Sequence, residues 1–157
     1  MLEQKKPRKS NSDLNAQEYF TDDRLEVLDA AIKAAEKNTS GEIRLYVENT
    51  CQEDVLDRAA FLFEELKMHR TELRNGVLFY LTMKDRKFAI LGDAGINAKV
   101  GNEFWDHIKM EMIRSFKQGE ITEGLGKGIR MAGEALATHF PYRKGDINEL
   151  SDEIIIK

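Results

Sequence analysis

The chain has 157 residues, of which 41% are hydrophobic and 33% charged, and this is the size and composition of one soluble globular domain. Its formal net charge of -4 excludes the global basic field that holds nucleic acid. The single cysteine, Cys51, excludes an intramolecular disulfide, and no apolar run approaches the ~18 residues of a membrane span.

The two prolines, Pro7 and Pro141, separate a central segment from two tails. Residues 1–16 are polar and basic, and we predict a flexible N-terminal arm there, followed by a single α/β domain over residues 17–142. Residues 143–157 form an acidic and then apolar tail, which we expect to dock on the domain because exposed isoleucines favour aggregation. The N-terminus lacks the apolar segment of a secretory signal, so the sequence predicts a cytoplasmic protein.

The first half of the domain is predicted to form a helix, a strand and a second helix. Residues 22–37 carry an apolar stripe at helical spacing, with Thr21 as the N-cap. Residues 42–47 alternate between apolar and polar side chains, which predicts a strand buried on one face only. A second helix is predicted from about Glu53, with its stripe on Leu56, Ala59, Phe63 and Leu66 and with Phe61 and Leu62 broadening that stripe.

The second half of the domain reads as a hairpin followed by two helices. Residues 77–81 are continuously apolar and predict a strand. Residues 83–86 form the turn, and residues 88–91 form the antiparallel return strand. After a lead-in at residues 97–101, a third helix is predicted to end near Lys117, and a fourth spans residues 121–140. The order is therefore α-β-α-β-β-α-α. It predicts an α/β fold in which a small mixed sheet is sandwiched between helices.

Strand direction brings polar groups to one edge of this sheet. The first two strands are parallel and the third is antiparallel, so residues 39–42, 74–76 and 92–97 should meet. The edge holds the carboxylates of Glu42 and Asp93 together with several backbone carbonyls. Such hard oxygen donors suit Ca²⁺ or Mg²⁺, and we take these two carboxylates as the candidate metal ligands.

Four further side chains at this edge are candidate ligand-binding residues: Arg44, Arg74, Asn75 and Asn97. Purely structural interpretations remain open for the same segments. The glycines there permit turns, Asp93 is placed to cap the next helix, and Glu42 is placed to pair with Arg44 or Arg74.

Other chemistry has less support in the sequence. The opposite edge offers Glu48, Asn49 and a charged reversal containing Asp85 and Arg86, which is typical of a solvated turn. The three histidines and Cys51 lack the spacing of a zinc site, and the glycines at 119–128 match no phosphate-binding loop. We assign no catalytic residue and no organic cofactor.

Six short motifs, taken together and in order, resemble the TPM domain family. They are Thr-Ser-Gly-Glu-Ile-Arg at 39–44, Arg-Asn-Gly-Val-Leu at 74–78, Gly-Asp-Ala-Gly-Ile at 92–96, Val-Gly-Asn-Glu-Phe-Trp at 100–105, Phe-Pro at 140–141 and Asn-Glu-Leu at 148–150. The resemblance covers about residues 19–154 and looks closest to a short, soluble bacterial subgroup. Relatives in this family include thylakoid-lumen proteins of photosystem II repair and bacterial envelope proteins.

The resemblance implies an α/β sandwich and divalent-cation binding at acidic loops, and it carries that role to Glu42 and Asp93. Some members of the family are described as acid phosphatases.

Two hypotheses follow. The first is a soluble module that binds Ca²⁺ or Mg²⁺ at this edge and bridges to a protein or a phosphorylated ligand. The alternative is a metal-assisted phosphomonoesterase, in which Arg44 or Arg74 would hold the phosphate.

Overall fold

The computed structural model describes residues 10–145 and 154–157. The helices are α1 (Ala16–Tyr19), α2 (Asp22–Glu36), α3 (Val55–Glu65), α4 (Ala94–Lys117) and α5 (Ile121–His139). The strands are β1 (Glu42–Glu48), β2 (Gly76–Thr82), β3 (Phe88–Gly92) and β4 (Ile155–Ile156). Short 3-10 helices occupy Asn11–Asp13 and Met68–Arg70.

The strands form one mixed sheet in the order β3-β2-β1-β4. β1 and β2 are parallel, with Glu42 opposite Gly76, and β2 and β3 form the antiparallel hairpin, with Val77 opposite Gly92. β4 adds a second parallel neighbour to β1. The predicted α/β class, the mixed sheet and the helices around it are therefore confirmed.

Helices cover both faces of the sheet. On one face, α2, α4 and α5 enclose the larger core, to which β1 contributes Ile43, Leu45 and Val47. On the other face, α3 packs on β2 and β3 and closes a second core with Tyr46 and Tyr80. The expectation that β1 is buried on one face only is wrong, because this second core covers its alternate side chains too.

Two helices differ from their predicted form. In α3, Leu56 and Phe61 are about half exposed, so the buried face is narrower than predicted, whereas Ala59, Leu62 and Phe63 are buried as expected. α4 already begins at Ala94, within the predicted loop, and contains a non-helical residue at Gly101 (φ 73°, ψ 173°). Only glycine readily adopts this backbone conformation, so the helical stretch is broken there.

The two ends of the described chain attach near the carboxyl end of β1. Of the predicted arm, residues 1–9 lie outside the described residues, whereas Ala16 is fully buried and its N–H donates to Asn49 Oδ1 at 2.6 Å. Of the predicted tail, residues 146–153 lie outside the described residues, and Ile155–Ile156 form β4. Among the residues described, no helix is both long and apolar enough to cross a membrane.

A polar network closes the second core at the carboxyl end of β1. Arg58 donates to both carboxylate oxygens of Glu48, at 3.1 and 2.5 Å, and the Tyr80 hydroxyl donates to the same carboxylate. Burial raises the pKa of Glu48, but the hydrogen bonds from Arg58 and Tyr80 outweigh burial and leave the pKa below its usual range. Burial and the bond to Glu48 raise the pKa of Tyr80. The network links β1, β2 and α3.

We expect Arg58→Ala to lower the free energy of unfolding by about 2 kcal/mol, because it leaves the carboxylate of Glu48 in a mostly buried position without its cation. The matched control is Lys33→Ala, which breaks an exposed pair with Asp29 and should cost less than about 1 kcal/mol. Urea unfolding of both variants measures the difference. Equal losses would show that the network contributes no more than an exposed ion pair.

The same network predicts an acid-dependent loss of stability. The folded pKa of Glu48 lies below its unfolded value of 4.5, so its contribution is complete above that pH and is lost as the pH falls through the folded pKa. The unfolding midpoint in urea, measured from pH 7 to pH 3, should therefore fall less steeply in Glu48→Gln than in the unsubstituted protein. Parallel curves for the two proteins would contradict this assignment.

Candidate functional site

Three segments meet at the edge of the sheet where β1 and β2 begin. Asp93 N–H donates to Gly76 O at 2.9 Å, and Glu42 N–H donates to Asn75 O at 3.3 Å. Gly95 N–H donates to Arg74 O at 2.8 Å. The expectation that residues 39–42, 74–76 and 92–97 come together is therefore confirmed. We refer to these three segments as the loop edge.

The backbone at the loop edge is tightly packed and locally strained. Arg74 has a left-handed conformation (φ 53°), which is uncommon for a residue with a side chain. Gly95 lies so close to this turn that a Cβ atom there would overlap the carbonyl oxygens of Leu73 and Arg74. The absence of a side chain at Gly95 is thus what lets the start of α4 approach the start of β2.

Asp93 is fixed from several directions. Its carboxylate accepts from Arg74 Nε at 2.7 Å and from Arg74 Nη2 at 2.8 Å, and its Oδ1 also accepts from Ala94 N–H at 2.7 Å. Asp93 is only 6% exposed, whereas the Arg74 side chain is 51% exposed. The hydrogen bonds to Asp93 raise the pKa of Arg74. The carboxylate therefore caps α4 and holds a guanidinium on its solvent side.

Asn75 places an amide group inside the loop edge. The residue is 1% exposed, its Nδ2 donates to Ser40 Oγ at 3.2 Å, and its backbone N–H donates to Thr71 Oγ1 at 3.2 Å. Its Oδ1 atom is buried and accepts no hydrogen bond from the residues described. A buried amide oxygen without a donor is uncommon in folded proteins and marks a position where a ligand would be favoured.

Glu42 and Arg44 lie on the α3 face of β1 and are 3% and 8% exposed. The sheet register places Glu42 and Asp93 on either side of Gly76, two strand spacings or about 10 Å apart at the backbone. Met68 packs over Gly76 between them. The two candidate carboxylates therefore belong to one edge but do not converge directly on one point.

Asn97 is engaged at both ends of its amide. Its Nδ2 donates to Gly92 O at 2.8 Å, and its Oδ1 accepts from Trp105 Nε1 at 2.8 Å. These bonds join the end of β3 to the second part of α4. They favour a structural role for Asn97, and its role as a ligand stays a prediction.

The donors at the loop edge suit a hard cation bound with few protein ligands. Within residues 10–145 and 154–157, no three side chains of His, Cys, Asp or Glu lie close enough together to hold a metal ion. The available oxygen donors are a single carboxylate, from either Asp93 or Glu42, together with an amide oxygen and backbone carbonyls. Oxygen donors of this kind fit Mg²⁺, which keeps several waters, or a weak Ca²⁺ site.

Two features of the loop edge have no signal in the sequence pattern. The bidentate pair between Arg74 and Asp93 joins residues that are 19 positions apart, and the Thr71 hydroxyl that holds Asn75 lies in a polar connection. The capping role of Asp93, in contrast, follows from its position before an apolar helical stripe. Only a three-dimensional arrangement distinguishes the salt bridge from the other pairings open to Arg74.

The residues considered at the opposite edge serve as structural links. Asp85 Oδ2 accepts from Cys51 N–H at 2.7 Å, Arg86 pairs with Asp13 at 3.2 Å, and Asn49 holds the start of α1. A groove of about 910 Å³ lies elsewhere, between α2 and α5, and is lined mainly by apolar and small side chains. Neither feature contributes donors to the loop edge.

Comparisons with known proteins agree with this architecture. The model of the TPM domain family matches residues 14–135. The NMR structure of BA42 protein from the psychrophilic bacterium Bizionia argentinensis is 46% identical and has a TM-score of 0.83, covering 88% of this chain and 96% of that one. No match was found among curated proteins.

Two more distant structures share the fold alone. The N-terminal domain of a protein from P. gingivalis is 18% identical, with a TM-score of 0.65 and coverage of 79% of this chain and 82% of that one. The N-terminal domain of cg2496 protein from Corynebacterium glutamicum is 11% identical, with a TM-score of 0.61 and 74% coverage of each chain.

We expect Gly95→Ala to destabilise the protein by about 2 kcal/mol, since the added methyl group must displace the backbone of the turn before β2. The matched control is Gly126→Ala in α5, where a Cβ meets nothing within 4 Å, and where alanine should be neutral or stabilising by up to about 1 kcal/mol. Thermal unfolding compares the two. An unchanged melting temperature in Gly95→Ala would contradict the close approach.

Proposed function

The chain belongs to the TPM domain family, and we propose that it is a binding module that takes up a divalent cation, Ca²⁺ or Mg²⁺, at the loop edge. Asp93, Asn75 and Glu42 would supply the side-chain oxygens. The bound ion would stabilise three segments that depend on one another for their backbone hydrogen bonds. Coordination positions filled by water would remain open to an oxygen atom of a partner protein or a phosphorylated ligand.

The observation that carries this proposal is the environment of Asn75. Its Oδ1 is buried without a donor among the described residues, while the Nδ2 of the same amide donates to Ser40 Oγ. Leaving such an oxygen unsatisfied costs free energy, and a hard cation offers the interaction that it lacks. The carboxylates of Asp93 and Glu42, each less than a tenth exposed, would supply the charge.

The spacing of the carboxylates sets the expected strength of binding. Because Glu42 and Asp93 are about two strand spacings apart, an ion bound directly by one would reach the other only through water. Sites with few protein ligands are weak, and we expect a Kd on the order of 0.1–1 mM, as in low-affinity calcium modules.

Binding is favoured over the phosphomonoesterase alternative by the state of Asp93. Both carboxylate oxygens accept from Arg74, and one also caps α4, so the group is held by donors rather than poised to attack phosphorus. Arg74, which would have to hold the phosphate, is engaged in the same pair. Neither oxygen is therefore presented as a nucleophile, and this counts against the phosphomonoesterase alternative.

We expect millimolar Ca²⁺ or Mg²⁺ to raise the melting temperature by about 3 °C, which corresponds to roughly 1.4 kcal/mol at ten times the Kd. Asp93→Asn should remove the gain, since asparagine preserves the helix cap but carries no charge. Glu42→Gln should reduce the gain. Asp106→Asn, on the exposed part of α4, controls for net charge and should leave it intact.

An amide-resolved NMR titration locates the ion independently of the melts. Saturable shifts should cluster in residues 39–44, 74–76 and 92–97. Saturable shifts confined to other regions would overturn the placement at the loop edge, and the absence of saturable shifts with both ions at 10 mM would end the proposal of cation binding.

A further inference from the structure

We propose that Arg74 is a built-in competitor at the cation site: its guanidinium occupies the Asp93 carboxylate in the cation-free protein, sets the affinity for the ion, and leaves when the ion binds. This inference rests on the proposed function and specifies its regulation. It makes Arg74 an affinity-determining residue rather than a ligand for phosphate.

The first argument is the number of bonds that the carboxylate already makes. A carboxylate offers about four acceptor positions. Arg74 takes two of those of Asp93, at 2.7 and 2.8 Å, and Ala94 N–H takes a third at 2.7 Å. About one acceptor position remains, so a cation that takes more than a single bond from this carboxylate has to displace the guanidinium, whose positive charge also opposes that of the ion.

The second argument is which partner can move. Asp93 is 6% exposed and is anchored by its own backbone, whose N–H donates to Gly76 O and whose carbonyl accepts from Asn97 N–H at 3.0 Å. The Arg74 side chain is half exposed and lies on the solvent side. The guanidinium can therefore leave into water, while the buried carboxylate stays where it is and the incoming cation replaces the lost positive charge.

The third argument is that the exit of the side chain leaves the turn intact. The left-handed backbone of Arg74 is held by its N–H, which donates to Thr71 O at 3.2 Å, and by its carbonyl, which accepts from Gly95 N–H. Rotation of the side chain breaks neither bond. The loop edge can therefore exchange a guanidinium for a metal ion without local unfolding.

The affinity of the site follows from this competition. While Arg74 is in place, the single charge of Asp93 is already neutralised. Part of the free energy of cation binding is therefore needed to displace the Arg74 guanidinium. Removing the guanidinium should therefore tighten cation binding. Lysine at the same position keeps the charge but lacks the planar two-pronged donor, so it should compete less well.

The test is calorimetric titration of Mg²⁺ and of Ca²⁺ into the full-length protein and three variants. We expect Arg74→Ala to lower the Kd about two- to fivefold and Arg74→Lys to give an intermediate value. Arg70→Ala removes the same charge from an exposed position four residues earlier, and it should leave the Kd within error. A Kd for Arg74→Ala equal to that of Arg70→Ala, or weaker than that of the unsubstituted protein, would overturn the inference.

A second measurement uses the unsubstituted protein, so it does not depend on the stability of a variant. The NMR correlation of Arg74 Nε–Hε reports the bond to Asp93, and it should lose its bonded shift in proportion to saturation by the cation. A signal that stays unchanged at saturation would show that the ion binds without displacing Arg74. Absence of saturable binding in all four proteins would instead reject the cation site itself.

Discussion

Three successive carbonyl groups hold the loop edge together. The oxygens of Arg74, Asn75 and Gly76 accept, in turn, from the start of α4, from the start of β1 and from the end of β3. One short turn at the start of β2 thus connects the three segments that carry the polar groups of this edge. The left-handed conformation of Arg74 and the missing side chain at Gly95 are the local requirements for that turn.

Much of this arrangement could be predicted, because it follows from strand direction. The helix predicted between β1 and β2 implied that these strands are parallel, and parallel strands bring their starts to one edge. Thr21 is correctly predicted as a helix cap because it precedes an amphipathic stripe, and the cap at Asp93 is one of the interpretations that the sequence left open. The meeting of the three segments required no knowledge of side-chain contacts.

The errors arise where distant side chains decide the outcome. Tyr46 lies on the face of β1 that alternation marks as polar, yet α3 closes a second core over it with Tyr80. The sequence offers Asn97 as an oxygen donor for a ligand, but in the structure its Oδ1 accepts a hydrogen bond from Nε1 of Trp105, eight residues later. β4 has two residues, too few for any periodicity to be visible. Each case depends on packing between elements that local sequence does not encode.

The pairing of β4 with β1 has a consequence for biosynthesis. Ile155 and Ile156 lie opposite Tyr46 and Val47, so the first strand made receives its second neighbour from residues more than a hundred positions later. Until those residues leave the ribosome, one side of β1 is an unpaired edge that other chains can join. Completion of the sheet therefore comes long after the synthesis of β1, and the growing chain depends on Ile155 and Ile156 to cover an edge that favours aggregation.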